Sequence, residues 1–152
     1  MPGHVKVSGT WKALTGLHTK VSGTWKQVQA GYVKVSGTWK QFYLFFSASA
    51  DDETPSGVAS GPNPTGLVIS DICTITPVGG TPPYTYAWTQ GPGGASASGP
   101  FTPGAPNSAA TSWSDTVTEF ETAEDWTCTV TDDDSNETTV TVAVSLIWTD
   151  TS

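Results

Sequence analysis

Lys6-Val7-Ser8-Gly9-Thr10-Trp11-Lys12 recurs unchanged as Lys20–Lys26 and again as Lys34–Lys40, so Trp11, Trp25 and Trp39 stand 14 residues apart. A fixed phrase at a fixed period marks a repeat architecture, and it governs the reading of the first third of the chain. Val5-Lys6-Val7 and Thr10-Trp11-Lys12 are rich in β-branched and aromatic residues, the chemistry of strands. Ser8-Gly9 between them is a two-residue turn signal, the glycine supplying the positive φ of a tight hairpin. A closed hairpin sets Val7 against Thr10 and Lys6 against Trp11. That places a lysine stem on an indole face, a cation–π contact of about 0.5–1 kcal/mol where exposed. A 14-residue period also approaches four helical turns. The mid-unit glycine and its β-branched neighbours argue against a helix. Three β-hairpins are expected.

Composition extends the all-β reading to the whole of the 152 residues. Charged residues are scarce, while Thr, Ser, Gly and Pro are abundant. The charge is split along the chain: all six lysines lie in the repeats, arginine is absent, and all fourteen acids lie from Asp51 onward. Opposite charges on the two parts suggest two modules with different partners. Met1-Pro2-Gly3-His4 begins no apolar run, and Phe42–Phe46, the most apolar window, is far too short to span a bilayer. Neither an export signal nor a membrane partner is expected.

Three segments follow. Residues 1–46 form the basic repeat module, too small to bury a core of its own. Association is the expected remedy, as a trimer or by docking on a larger body. Residues 47–65 have the small, polar, Pro/Gly-punctuated composition of a flexible linker. From residue 66 to 152 strand patterns return. They run through Leu67-Val68-Ile69, through Ile72–Thr76 with Cys73 and Ile75 on one face, and through Tyr84–Trp88 with both tyrosines and Trp88 on one face. After a long irregular connection over 91–110, further strands are expected at 112–118, 126–130 and 139–146, the last two joined by a hairpin loop at 132–137. Six or seven such strands make an antiparallel two-sheet sandwich.

Cys73, Trp88 and Cys128 stand in the order and approximate spacing of the immunoglobulin-fold core, and Asp125-Trp126-Thr127-Cys128 resembles the Asp-x-Tyr-x-Cys around that fold's second cysteine. Trp126 stands where that family has its corner tyrosine, and an indole offers a donor but no hydroxyl. Gly79–Trp88 also looks like the lead into the third strand of bacterial and viral Ig-like or PKD-type surface domains. The resemblance covers 66–148 and implies that Cys73 and Cys128 face each other across the core, bonded or not according to compartment. The tandem phrase resembles the Gly-x-Trp-Lys repeats of tailed-bacteriophage structural proteins of the tail, fibre and decoration types, which often carry a C-terminal Ig-like domain. That resemblance implies a non-enzymatic virion protein, assembled in the host cytoplasm and anchored by its repeats.

Catalytic chemistry finds little support. His4 and His18 occupy equivalent repeat positions where the third copy has Tyr32, which suits a surface aromatic better than a base or ligand. No nucleophile elbow, phosphate loop or zinc spacing is present, and no cofactor is implied. Asp132-Asp133-Asp134 with Asn136 and Glu137 offers oxygens to calcium, but without EF-hand spacing the plainer reading is a solvated loop. The lysines with interleaved Trp invite a nucleic-acid reading, which the net charge of −8 opposes. Docking on other copies or on another virion protein is therefore expected, through Lys6, Trp11, Lys12, Lys20, Trp25, Lys26, Lys34, Trp39 and Lys40. A capsid decoration or head-fibre role is the alternative, and contact with host-surface glycan would call for exposed Trp113 or Trp148.

Overall fold

The computed structural model describes residues 4–13, 17–91, 100–118 and 120–152, with only the backbone described at 4, 5, 11–13, 43, 44, 120 and 121. All regular structure among these residues is β. Within the connection expected at 91–110, residues 92–99 lie outside them; the described part holds the strand Thr102–Pro103 and the start of the strand Ala110–Thr111.

The repeats form three separate antiparallel hairpins. Strand β1 (His4–Val7) pairs with β2 (Thr10–Ala13), β3 (His18–Val21) with β4 (Thr24–Gln27), and β5 (Ala30–Val35) with β6 (Thr38–Leu44). The expected register holds in all three: Lys6 opposes Trp11, Lys20 opposes Trp25, and Lys34 opposes Trp39. Each turn places Ser and Gly both at positive φ, near 50° and 85° respectively. That is the two-residue turn whose twist matches the strands it joins. Glycine adopts this freely, whereas serine at Ser8, Ser22 and Ser36 occupies a region sparse for side-chain-bearing residues. A register shift at Gly31/Tyr32 distinguishes the third hairpin, and the ring of Phe42 there lies directly over Gly31.

Only Phe45 and Phe46 separate the third hairpin from a sandwich-like body. It consists of β7 (Ser47–Ala50), β8 (Ser56–Gly61), β9 (Thr65–Ile69), β10 (Cys73–Val78), β11 (Thr85–Gln90), β12 (Thr102–Pro103), β13 (Ala110–Thr111), β14 (Trp113–Thr118), β15 (Phe120–Thr131) and β16 (Glu137–Asp150). One layer is the four-stranded sheet β11-β15-β16-β8; the other holds β13-β10-β7 and β12-β14-β9. Strands β9 and β10 act as one long strand running antiparallel to β13 and β14. The pairs Cys73–Thr111 and Ile69–Ser114 enclose three residues on one side and two on the other. This one-residue bulge carries Ser70, whose Oγ accepts the Trp113 N–H at 2.9 Å and donates to the Asp71 carbonyl at 2.8 Å.

The expected linker at 47–65 is instead structured, and the sandwich begins at 47 rather than 66. Strand β7 pairs antiparallel with β10, and β8 adds in parallel to β16 as the sheet's edge strand. Its small residues, suggestive of flexibility, serve close packing. A Cβ at Gly57 would overlap the carbonyl of Ile69, and Pro55 is fully buried. Pro and Gly describe a linker only where no neighbouring strand offers backbone partners.

Gly57→Ala must displace backbone rather than a side-chain tip, so we expect a loss of about 1–3 kcal/mol in chemical denaturation. Gly23→Ala serves as a contrast: a Cβ there meets nothing within 4 Å but strains the backbone at φ 85°, so its cost falls on the second hairpin and the sandwich transition is expected to stay unmoved.

Candidate functional site

Directly paired residues of a hairpin share a face, so pairing divides each unit in two. On the second hairpin Lys20, Trp25, His18 and Gln27 share one face, while Val21, Thr24, Thr19 and Lys26 share the other. The third repeats this, with Lys34, Trp39, Tyr32 and Gln41 against Val35, Thr38, Val33 and Lys40. The ammonium groups of Lys20 and Lys34 each sit 5.9 Å from the centroid of their partner indole. The residues expected to make one assembly surface thus lie on two. Lys20, Trp25, Lys34 and Trp39 come together in pairs, and Lys26 and Lys40 occupy the opposite face. Lys6 is exposed on the first hairpin, whose Trp11 and Lys12 side chains lie outside the described residues.

Both faces are in contact with solvent. Trp25 and Trp39 are each 66 % exposed, and every residue from His18 to Gln27 is exposed. The hairpins are closed at their bases by backbone bonds from Val28 N to Leu17 O and from Phe45 N to Gln29 O. Among the described residues, backbone pairing and turns hold the second and third hairpins, with no core beneath.

The residues expected in the sandwich core are all there. Cys73, Trp88, Trp126 and Cys128 are buried with Trp113, Phe101 and the valines of β15 and β16. Trp113 meets Trp88 edge-on at 5.0 Å and Trp126 at 6.0 Å. The interior place of Trp113 corrects the expectation that it faces a glycan. Trp148 is half-buried, its ring over Gly61 and Gly66 and its Nε1 donating to the Asn63 carbonyl at 2.8 Å. Cys73 and Cys128 are free thiols, and burial pushes each up to about 11. The Cys73 thiol also donates to the Asp52 carbonyl at 3.3 Å.

One buried residue went unnoticed in the sequence. Glu124 is 1 % exposed, and its Oε2 accepts the Trp126 Nε1–H at 3.2 Å and the Phe101 N–H at 3.0 Å. This carboxylate supplies the partner that the indole requires where a tyrosine hydroxyl was expected. The signal was available, because Glu124 shares the inward register of Trp126, Cys128 and Val130.

The acidic loop is organised from within. The Asp132 carboxylate accepts from Thr81 N (2.9 Å), Asp134 N (3.0 Å), Asn136 N (2.8 Å) and Asn136 Nδ2. Burial alone would raise its pKa, but these donors together hold it below the ordinary value of 3.8. Among the described residues, no three His, Cys, Asp or Glu side chains gather as a metal site. Neither the family models nor the curated proteins compared with this chain yield a match.

Asp132→Ala removes an acceptor shared by four donor groups and is expected to cost about 1–3 kcal/mol. In the unmodified protein this contribution is present above pH 3.8 and is lost as pH falls through the depressed folded value, because the unfolded chain takes up the proton first. Acid titration of both proteins monitored by tryptophan fluorescence separates the two curves. The thiols are expected to resist iodoacetamide at about pH 8 until denaturant opens the core, since the thiolate is the reactive form. Alkylation of the folded protein at the rate of the unfolded chain would contradict their burial.

Proposed function

We propose that this chain is a non-enzymatic virion structural protein of a tailed phage, anchored through its N-terminal hairpins and displaying an Ig-like domain on the particle surface. One observation carries the assembly reading. The second and third hairpins each present an exposed indole capped by a lysine, and among the described residues no core buries those indoles. A soluble monomer gains nothing from two such exposed faces in succession, whereas an assembly surface gains contact area with each. The resemblance of the repeats to tail, fibre and decoration proteins supplies the virion setting, and the Cys73, Trp88 and Cys128 arrangement supplies the Ig-like reading. The lysines suit an acidic protein partner, other copies included, and a homotrimer is the favoured state.

Light scattering of the full chain over a range of concentrations is expected to reveal a trimer. Replacement of Trp11, Trp25 and Trp39 by Ala should shift it to monomer while the near-UV signature of the buried tryptophans stays. A wild-type monomer at every concentration, together with absence of the protein from purified virions, would sink the reading. Copy number on those virions distinguishes a fibre, with a handful, from a decoration protein, with hundreds.

A further inference from the structure

The outer face of the sandwich carries an apolar stripe that nothing among the described residues covers. Leu67, Ile69 and Ile72 are 61 %, 58 % and 66 % exposed along the continuous β9–β10 strand. The bulge at 70–72 makes this possible. It shifts the alternation by one residue, so Ile72 faces outward while Cys73 and Ile75 still face the core. The partner strand β14 is polar on that outer face: Thr116 opposes Leu67 and Ser114 opposes Ile69. The stripe is therefore a local feature of one strand, not a general apolar coating.

Its rim is acidic. Asp51 lies beside the stripe, its carboxylate accepting the Thr74 N–H at 2.6 Å. Asp52 follows, with its carbonyl on Cys73, and Glu53 comes next in the chain. Asp71 is exposed within the bulge, its N–H bound to the Ser56 carbonyl. An apolar stripe bordered by carboxylates is the chemical complement of an indole bordered by lysines. This same chain presents the latter at Lys20/Trp25 and Lys34/Trp39, and all its lysines belong to the hairpins and all its acids to the sandwich.

We propose that these are the two halves of one interface: the Lys/Trp hairpins of one copy dock on the Leu67–Ile69–Ile72 stripe of a second copy. The inference rests on reading the hairpins as assembly elements and names the surface they meet. Such a contact is heterologous, so it closes into a ring, a trimer included, or grows as a filament. A second copy suits the stripe better than the chain's own third hairpin. That hairpin joins the body at Phe46, beside Val78 and Tyr84. Ile72 lies at the other end of β10, roughly 20 Å away at strand rise.

The test uses two full-length variants, one with Trp11, Trp25 and Trp39 replaced by Ala, the other with Leu67, Ile69 and Ile72 replaced by Thr. Each alone is expected to lose self-association in light scattering. Mixed in equal amounts they should recover a heterodimer, since each retains the half that the other lacks. A stripe variant that assembles like wild type would overturn this interface in favour of hairpin-on-hairpin contact, leaving the assembly role of the hairpins intact. Two monomeric variants that fail to combine would overturn it as well. Wild type that is itself monomeric would overturn both readings. A salt series on the unmodified chain guards against misfolded variants: association should weaken roughly tenfold on going from low salt to about 0.5 M NaCl. Association that is unchanged or strengthened by salt would overturn the pairing of lysines with the acidic rim.

Discussion

The Trp113 indole, fully buried and held between Trp88 and Trp126, is the contact on which the sandwich depends. The three rings come from β14, β11 and β15, so their packing ties the layer containing β14 to the layer containing the other two. Aromatic side chains bury large areas and prefer edge-on and tilted geometries, both of which occur here. The cluster also creates polar demands. Trp88 Nε1 is met by the Ser108 carbonyl and Trp126 Nε1 by Glu124. Trp113 Nε1 and Glu124 Oε1 are buried without a hydrogen-bond partner among the described residues. The buried Glu124 carboxylate answers the Trp126 indole N–H and the Phe101 N–H through its other oxygen, Oε2.

A second constraint joins the hairpins to the body. Phe46 stacks on Tyr84 at 5.9 Å, and the Tyr84 hydroxyl donates to the Gly79 carbonyl at 2.7 Å. Gly80, at positive φ, leaves no room for a Cβ between Phe46 and the Asp132 carboxylate. Asp132 in turn holds the Thr81 N–H. The β15–β16 loop, the approach to β11 and the last residue before β7 are thus fastened at one place. The acidic run that suggested a cation site spends its first carboxylate on this junction.

The two parts of the chain are stabilised by different physics. The sandwich rests on apolar burial, with backbone pairing arranged around it. The hairpins rest on pairing, turns and a lysine above each described indole, interactions worth little singly in water. Among the described residues nothing covers the Lys20/Trp25 and Lys34/Trp39 faces or the Leu67, Ile69 and Ile72 side chains.

What the sequence determined alone was local. Seven identical residues per repeat specified the register and the lysine–indole pairs, because a two-residue turn leaves one way to align the strands that flank it. Alternation likewise set Cys73 with Ile75, and Tyr84 and Tyr86 with Trp88, on single faces, while the resemblance to the immunoglobulin-fold core implied that Cys73 and Cys128 point inward. What only the tertiary structure decided was non-local. Residues 47–65 read as a linker because small residues carry no pattern of their own, and they became strands when β10 and β16 offered them backbone partners. The bulge at 70–72, the burial of Trp113 and the acceptor role of Glu124 depend on which strands lie opposite. Period and composition describe a residue's neighbours along the chain, whereas these three features are set by neighbours across the core.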